Sequence, residues 1–477
     1  MTESSQNPWQ VCVIGAGPGG YVAAIRLAQR GMRVALIEKN AVGGVCLNWG
    51  CIPSKALIHA ASILDGLRGA DKMGILVDNP RVDFARLMGW KDGVIHKLQG
   101  GIRQLLGAHG VTLIEGEAEF LTPHRLQVRP AQGDVLTLDA ENFLIATGSS
   151  PQALPGLAVD GQRMLDVRDL LSMTTLPASL AVIGGGVIGL EMAMAFSKLG
   201  AQVTVLEALE DILPDIDPDC RQILKRALKR RKISLKTGVR AGLSPDASQS
   251  GPLLTLSCLD DAGQTTSLAV EKALVAVGRS PNTASLGLAR AGLATDERGF
   301  IPVDAQCRSR SAHIFAIGDV TRGPLLAHRA SHEGLVAAAA IAGDGAASVD
   351  TRAMPAAVYT DPELASVGWT EAQARAAGRE VRIGSFPLQA SGRALTMDAG
   401  DGLVKLIADA QTDELLGAHI AGPHAADLIA EAALAIELGA SAADVAMTVH
   451  AHPTLPESLM EAAEALHHQA IHLYQKP

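Results

Sequence analysis

In the first half of the chain, short apolar runs are followed by longer stretches in which apolar residues recur with the helical period. Residues 11–14 form one such run, an alanine-rich helical pattern extends to Gln29, and residues 34–37 form a second run that ends in Glu38. This order predicts a strand–helix–strand unit. The turn between its first strand and its helix reads Gly-Ala-Gly-Pro-Gly-Gly.

The same pattern returns later in the chain. Residues 180–183 lead into a second glycine-rich turn, and residues 201–206 end in Glu207. In both units the acidic residue stands eighteen positions after the last glycine of the turn. This internal repeat predicts two dinucleotide-binding folds in one chain, and therefore two cofactors in electronic contact.

Each turn has the glycine spacing that a dinucleotide requires. The first glycine permits the turn, the second lets a pyrophosphate approach the backbone, the third lets the helix pack on the strand, and the acid can hold a ribose hydroxyl. These residues are Gly15, Gly17, Gly20 and Glu38 in the first unit, and Gly184, Gly186, Gly189 and Glu207 in the second. Glu207 would repel a 2′-phosphate and no arginine cluster follows it, so the second site is expected to take NAD rather than NADP.

The remaining segments differ from these units. Residues 111–115 and 125–128 are strand-like and predict an antiparallel excursion, and residues 343–350, rich in Gly, Ala and Ser, predict a linker. Beyond the linker, strand-like segments at 356–368 and 403–408 mix with alanine-rich helices. The expected fold class is α/β, with two Rossmann-like dinucleotide-binding domains and a C-terminal α+β domain.

Composition narrows the classes of function. The 477 residues are 48% hydrophobic but only 3% aromatic, so the cores must be built from Ala, Val, Leu and Ile. A formal charge of −9 gives no electrostatic reason to expect nucleic acid or an anionic membrane surface as a partner. The first ten residues lack a leader pattern, and the longest apolar stretch, residues 335–342, is too short to span a bilayer. We therefore expect a soluble, cytoplasmic protein.

Two cysteines, Cys46 and Cys51, are separated by four residues. On a regular helix their Cα atoms would lie roughly 8–9 Å apart, whereas a disulfide needs about 7 Å or less. They can bridge only if the segment departs from a helix, and Asn48 and Gly50 tolerate the backbone angles for that departure. The alternatives are two unrelated buried cysteines or half of a metal site, but no second Cys/His pair at zinc spacing accompanies them, so no metal is expected.

Near the C-terminus, His452 precedes Glu457 by five residues. An imidazole with a nearby carboxylate is a general-base arrangement, because the acid fixes the tautomer and increases the basicity. The alternatives are a structural histidine, or a metal held by His450 and His452, for which no third ligand is evident. Asp319 ends a strand-like run and could bind a polyol hydroxyl, although Gly-Asp is also common in turns.

Residues 46–55, Cys-Leu-Asn-Trp-Gly-Cys-Ile-Pro-Ser-Lys, closely resemble the redox-active segment of the flavin-dependent disulfide reductases. The resemblance extends over almost the whole chain. It implies that the first dinucleotide is FAD and that Cys46 and Cys51 form a redox-active disulfide beneath its ring. It also implies that Lys55, which alone would be read as a solvated surface lysine, places a positive charge beside the reduced flavin.

The same resemblance implies roles for other residues. Glu191 would contact the nicotinamide side near Lys55; without the resemblance it would be read as a carboxylate in the first turn of its helix. His452 would be the acid/base and Glu457 its orienting partner, although Pro456 replaces the small residue usual in that turn. The remaining cofactor contacts fall on Thr147, Gly148, Asp319 and Gly278.

The implied organisation is a FAD-binding domain over residues 1–150, an NAD-binding domain over 151–280, a return to the FAD domain over 281–348 and a dimerisation domain over 349–477. In the family this histidine reaches the cysteines of the other subunit, so an obligate homodimer is expected.

The wording of the cysteine segment is most similar to the members that oxidise protein-bound dihydrolipoamide with NAD⁺, as the E3 component of a 2-oxo acid dehydrogenase complex or of the glycine cleavage system. The protein partner would then be a lipoyl-bearing E2 or the glycine-cleavage H protein. The alternatives are another NAD(P)H-dependent flavoprotein disulfide reductase and a subunit that mainly docks onto a multienzyme core.

Overall fold

The structure, a computed structural model, describes residues 8–244, 251 and 253–475. Residues 1–7, on which part of the leader argument rests, lie outside this range. The first part of the chain contains β1 (Trp9–Ile14), α1 (Pro18–Gln29), β2 (Val34–Glu38), α2 (Gly44–Trp49), α3 (Cys51–Arg68), α4 (Phe84–Ala108), β3 (Thr112–Glu115), β4 (Glu117–Thr122), β5 (Arg125–Arg129), β6 (Leu136–Ile145) and β7 (Ser149–Pro151).

The middle part contains β8 (Met164–Leu165), α5 (Val167–Leu170), β9 (Ser179–Ile183), α6 (Val187–Leu199), β10 (Gln202–Leu206), α7 (Pro218–Arg230), β11 (Ser234–Lys236), β12 (Val239–Leu243), β13 (Leu254–Asp260), β14 (Thr265–Val270), β15 (Lys272–Val275) and β16 (Arg279–Pro281).

The last part contains β17 (Ile314–Ala316), α8 (Ala327–Ile341), β18 (Ala356–Val358), β19 (Glu363–Gly368), α9 (Glu371–Ala376), β20 (Val381–Pro387), α10 (Gly392–Thr396), β21 (Leu403–Asp409), β22 (Leu415–Gly422), α11 (Ala425–Leu438), α12 (Ala442–Met447) and α13 (Glu457–Leu466).

The first sheet combines parallel and antiparallel strands. Its parallel part runs β3-β2-β1-β6, with β17 also pairing with β6, and the antiparallel strands β5 and β4 continue from the other half of β6. The expected antiparallel excursion is therefore right for residues 125–128 and wrong for residues 111–115, because β3 pairs in parallel with β2. Both β3 and β5 are short, and a strand-like pattern in a short segment does not specify the direction of the neighbouring strand.

A second parallel sheet repeats the design in the order β11-β10-β9-β15-β8. The strands β12, β13 and β14 form a separate antiparallel sheet. The chain leaves the first parallel sheet through β7 and the second through β16, and these two short strands pair with each other. The C-terminal part forms an antiparallel sheet in the order β18-β19-β22-β21-β20 with helices around it. The α/β class with a C-terminal α+β domain is confirmed.

An apolar core shared by α3 and α6 fixes the cysteine segment relative to the second glycine-rich turn. Leu57 and Ala61 of α3 and Leu190 and Ala193 of α6 belong to one cluster and are fully buried. Burial of each leucine contributes about 1.5–3 kcal/mol relative to an exposed position. Among the described residues, no helix is both long and apolar enough to cross a membrane.

Candidate functional site: two nucleotide turns flanking a dithiol

In the first glycine-rich turn, a side chain would collide with the backbone at Gly15 and at Gly20 but not at Gly17. Gly15 has a φ of +102°, and a Cβ there would lie 2.4 Å from the carbonyl oxygen of Ala146. A Cβ on Gly20 would lie 1.8 Å from the carbonyl oxygen of Gly15, so α1 can approach the turn only with glycine at that position. The nearest atom to a Cβ on Gly17, the residue before α1, is 4.0 Å away, which leaves room for a phosphate at the helix N-terminus.

The second turn has the same construction. Gly184 has a φ of +113°, and its Cβ would lie 2.4 Å from the carbonyl oxygen of Ala276. A Cβ on Gly189 would lie 2.1 Å from the carbonyl oxygen of Gly184. At Gly186, the residue before α6, a Cβ would meet no atom within 4 Å. The free space at Gly17 and Gly186 therefore shows that both turns fit a dinucleotide pyrophosphate, independently of the glycine spacing.

The two carboxylates at the ends of β2 and β10 are also held alike. Each accepts one backbone N–H bond from its glycine-rich turn and one from the residue two positions further along the chain. The donors are Ala16 and Asn40 for Glu38, and Gly185 and Leu209 for Glu207, at 2.5–2.8 Å. An ionised carboxylate has about four acceptor sites, so each still has capacity for a ribose hydroxyl.

The cysteine segment is a helix interrupted at one residue. Cys46 lies in α2, Cys51 is the first residue of α3, and Gly50 between the helices has φ −140° and ψ −108°. The expected departure from a regular helix therefore occurs at Gly50. The expectation for Asn48 is wrong, because this residue stays within α2, where its Nδ2 donates to the carbonyl oxygen of Gly44 at 2.8 Å.

Cys46 and Cys51 are free, half-buried thiols, and each affects the pKa of the other. The hydrogen bond from Cys46 lowers the pKa of Cys51 to about 7; burial opposes this shift and the Lys55 cation adds to it. The hydrogen bond with Cys51, together with burial, raises the pKa of Cys46. The pair is therefore polarised, with Cys51 as the sulfur that ionises first.

Lys55 and Glu191, predicted to lie near each other, form an ion pair of 2.8 Å between Nζ and Oε2. Glu191 is only 3% exposed and is the fifth residue of α6, so the alternative of a first-turn carboxylate is wrong. Tyr359, which the sequence did not single out, completes the group: its N–H donates to Glu191 Oε1 at 3.0 Å, and Lys55 Nζ lies 4.4 Å from the centroid of its ring.

The turn of Thr147 and Gly148 is bonded to Asn282, next to the β7–β16 pair. Thr147 donates from Oγ1 to the carbonyl of Asn282 at 2.8 Å, and Asn282 donates from its N–H to the carbonyl of Gly148 at 2.9 Å. Gly148 has a φ of +69°, a conformation that favours glycine. This turn thus lies where the chain passes between the two parallel sheets.

Asp319 lies in a chain of polar contacts that the sequence did not reveal. Ser149 donates from Oγ to Asp319 Oδ2 at 2.5 Å, and Arg279 donates from Nε to Ser149 Oγ at 2.7 Å. Burial lowers the pKa of Arg279. Gly278, with a φ of +136°, precedes this arginine at the exit from the second sheet. One signal was available, because Arg279 directly follows Gly278, which the resemblance had placed among the cofactor contacts.

His452 and Glu457 form the expected pair, with His452 Nδ1 and Glu457 Oε1 2.8 Å apart. Burial would raise the pKa of Glu457, but the N–H of Thr454 and the imidazole of His452 hold it below its usual value. The His452 side chain is 82% exposed, so its Nε2 is accessible. Pro456 has φ −53° and ψ −27° and leads directly into α13, so a proline in this turn is compatible with the pair.

His450 has a different environment although it is only two residues from His452. Its side chain is 6% exposed, and its Nε2 lies 2.7 Å from Glu431 Oε1. It is a buried, paired histidine. Among the described hydrogen bonds and ion pairs, none connects His452 or Glu457 to either cysteine. Within this chain, the cysteine group and the histidine group are therefore two separate groups.

Comparison with known proteins agrees with this geometry. The sequence signature of the pyridine nucleotide-disulphide oxidoreductases matches residues 9–334, and that of their dimerisation domain matches residues 354–463. The chain belongs to the pyridine nucleotide-disulphide oxidoreductase family. It is therefore an oxidoreductase, and the family's use of FAD and NAD confirms the two expected cofactors.

Curated relatives are similar over nearly the whole chain. A dihydrolipoyl dehydrogenase of Halobacterium salinarum is 46% identical over 465 residues, 97% of each chain. One of Thermus scotoductus is 46% identical over 468 residues, 98% of this chain and 99% of the relative. Among solved structures, LpdA from Mycobacterium tuberculosis has a TM-score of 0.88 at 30% identity, covering 96% of this chain and 99% of that one. The flavoprotein disulfide reductase RclA from Escherichia coli has a TM-score of 0.83 at 31% identity, covering 94% and 98%.

Proposed function

We propose that this oxidoreductase oxidises protein-bound dihydrolipoamide to lipoamide and reduces NAD⁺ to NADH, as the E3 component of a 2-oxo acid dehydrogenase complex or of the glycine cleavage system. The observation that carries the proposal is the Cys46–Cys51 pair at the break between α2 and α3, with the Lys55–Glu191 ion pair one turn further along α3. The identity of 46% with proteins named dihydrolipoyl dehydrogenase supports the choice of substrate. The partner would be a lipoyl-bearing E2 or H protein, in the cytoplasm.

The substrate half-reaction is a thiol–disulfide exchange. In the oxidised enzyme Cys46 and Cys51 share a disulfide, and His452 accepts a proton from one substrate thiol. The substrate thiolate attacks Cys46 Sγ, a mixed disulfide forms, and Cys51 leaves as a thiolate. The second substrate thiol then attacks the substrate sulfur of the mixed disulfide, which releases lipoamide and leaves both cysteines reduced. The low pKa of Cys51 favours its role as the leaving group.

The nucleotide half-reaction uses the residues around the two turns. Gly15, Gly17, Gly20 and Glu38 would hold the FAD dinucleotide, with further contacts from Thr147, Gly148 and Asp319. NAD would lie on the second turn, with Glu207 on its free ribose hydroxyls. Bound FAD supplies the two-electron relay between the dithiol and NAD⁺. Lys55 would place a positive charge near bound FAD, and Glu191 holds that lysine through an ion pair of 2.8 Å.

The histidine would act on the cysteines of a second copy in a homodimer. The matched dimerisation domain and the separation of the two halves within one chain support this arrangement. The C-terminal domain also exposes large apolar side chains beside the histidines: Met447 is 82% and Val449 is 95% exposed. Their burial against a second copy would account for an apolar surface at this place.

A mixed-dimer experiment tests this arrangement. The Cys46→Ser homodimer should be inactive in NAD⁺ reduction by dihydrolipoamide, and the His452→Gln homodimer should be slower than wild type by about 10²–10⁴-fold. If the site is shared between subunits, a dimer of one copy of each variant contains one intact cysteine pair facing one intact histidine, so co-expression should restore activity. If each chain carries a whole site, no combination contains an intact one and the mixed dimer stays inactive.

Two other functions are distinguished by simple assays. Another disulfide reductase of the family would reduce a different disulfide, such as oxidised glutathione, or prefer NADPH. A subunit that mainly docks would bind flavin but show no turnover. Turnover of the lipoyl pair with NAD(H) only, abolished in Cys46→Ser, is the result that the proposed function predicts.

A further inference from the structure

Residues 359–361 of the C-terminal domain lie against α3 and α6, which pack directly on each other, and nothing in the proposed mechanism uses them. They follow β18 and contact the two helices at two levels. The first level contains Lys55 and Glu191, and the second contains Ser62 and Lys198. On both helices the levels are seven residues apart, two turns along the same face.

The first level confines the Lys55 ammonium on two sides. Lys55 Nζ lies 2.8 Å from Glu191 Oε2 and 4.4 Å from the centroid of the Tyr359 ring. The other oxygen of Glu191 accepts the N–H of Tyr359 at 3.0 Å. A lysine side chain has many rotamers, and a carboxylate alone fixes only its end. A ring beneath the ammonium adds a cation–π attraction and restricts the stem.

At the second level, ion pairs of Asp361 attach residues 359–361 to α6 and to Arg231. Asp361 Oδ2 lies 2.8 Å from Lys198 Nζ and 2.9 Å from Arg231 Nη2. Lys198 also donates to Ser62 Oγ at 3.0 Å, so α3, α6 and the C-terminal domain meet at one point. Because Asp361 is only two residues from Tyr359, this cluster holds the backbone of Tyr359 close to α6.

We propose that Tyr359 is a positioning residue, whose ring and N–H hold Lys55 and Glu191 in place beside the Cys46–Cys51 pair. The C-terminal domain thereby determines where the positive charge of the redox centre lies. This inference rests on the proposed role of Lys55. It has a direct readout at Cys51: Cys46 has the largest effect on the pKa of that thiol, burial raises it, and the Lys55 cation lowers it.

Two substitutions separate the ring from the rest of the side chain. Tyr359→Leu removes the ring and keeps the backbone N–H, whereas Tyr359→Phe keeps both. In the purified, reduced holoenzyme, the rate of Cys51 alkylation by iodoacetamide is measured across pH, and the rate of enzyme reduction by NADH is measured by stopped flow. We expect Tyr359→Leu to move the alkylation midpoint to higher pH and to slow reduction by NADH about fivefold. Tyr359→Phe should retain the wild-type values.

A double-variant comparison shows whether the effect passes through the lysine. In the Lys55→Met background, Tyr359→Leu should change neither the alkylation midpoint nor the NADH rate further. If Tyr359→Leu does not fold, Tyr359→Met fills more of the ring's volume and provides the same test.

Three results would overturn the inference: an unchanged midpoint in Tyr359→Leu, an equal loss in Tyr359→Phe, or an undiminished effect in the Lys55→Met background. None of these readouts involves dihydrolipoamide, so they are independent of the substrate. A wild-type enzyme that fails to oxidise dihydrolipoamide would contradict the proposed function and leave this comparison intact.

Discussion

Gly186 provides a sharp test of the second nucleotide turn, because an added methyl group there should affect binding and leave the fold intact. Its φ is −80° and its ψ −177°, a conformation that alanine adopts without strain, and a Cβ would meet no protein atom within 4 Å. Gly184 is the opposite case, since its φ is +113° and its Cβ would collide with a backbone carbonyl at 2.4 Å. Gly186→Ala should therefore fold, whereas Gly184→Ala should lose the turn.

The expected loss of affinity follows from the position of Gly186 at the start of α6. The methyl group would occupy the space through which a pyrophosphate reaches the backbone N–H groups of the helix. Loss of one hydrogen bond to a charged phosphate costs about 1.5–3 kcal/mol, which raises a dissociation constant by about 10- to 150-fold.

The assay is a titration of NADH binding, together with the KM for NAD⁺ in the turnover assay. In Gly186→Ala the FAD content, the melting temperature and the KM for dihydrolipoamide should stay at the wild-type values. Gly17→Ala is the matched control on the first turn, and there the FAD content should fall instead. A folded Gly186→Ala enzyme with wild-type affinity for NADH would refute the placement of NAD on this turn.

Three further predictions concern the dithiol, the histidine and the first turn. In the reduced enzyme the alkylation rate of Cys51 should rise with pH, with a midpoint at about pH 7, because the lowered pKa makes the thiolate available near that pH. A midpoint near 9.0, the ordinary pKa of a thiol, would contradict the lowered pKa of Cys51. His452→Gln should lower kcat for dihydrolipoamide oxidation by about 10²–10⁴-fold, the usual contribution of general acid–base catalysis, and leave enzyme reduction by NADH unchanged in stopped flow. Gly15→Ala should lower the melting temperature and the FAD content on purification, since its Cβ would lie 2.4 Å from the carbonyl oxygen of Ala146 at a φ of +102°; a wild-type melting curve would show that the turn relaxes.

Features set by local sequence were predicted well. The two glycine-rich turns occur between an apolar strand and a helix, and the acids at the strand ends contact those turns at the same offset in both halves. The break in the cysteine segment falls at Gly50, where the residue type alone favours it. Each of these depends on neighbours within about twenty residues, which a single sequence displays.

Features set by tertiary contacts were missed or assigned wrongly. Asn48 has the intrinsic tolerance for a helix break, but its amide finds a carbonyl within α2 and the residue stays helical. Tyr359 is 168 residues from Glu191, and no local pattern connects them. Residues 111–115 pair in parallel with β2, because the neighbour of a strand depends on how the other strands of the sheet pack, which the segment itself does not reveal.

The measurement that tests the central proposal most directly is a comparison of kcat/KM on one preparation of the holoenzyme. NAD⁺ reduction by dihydrolipoamide is measured beside the oxidation of NADH and NADPH with lipoamide and with oxidised glutathione. We predict turnover with the lipoyl pair and NAD(H) only, because Glu207 disfavours a 2′-phosphate. Turnover with glutathione, or a preference for NADPH, would contradict both the lipoyl assignment and the role of Glu207.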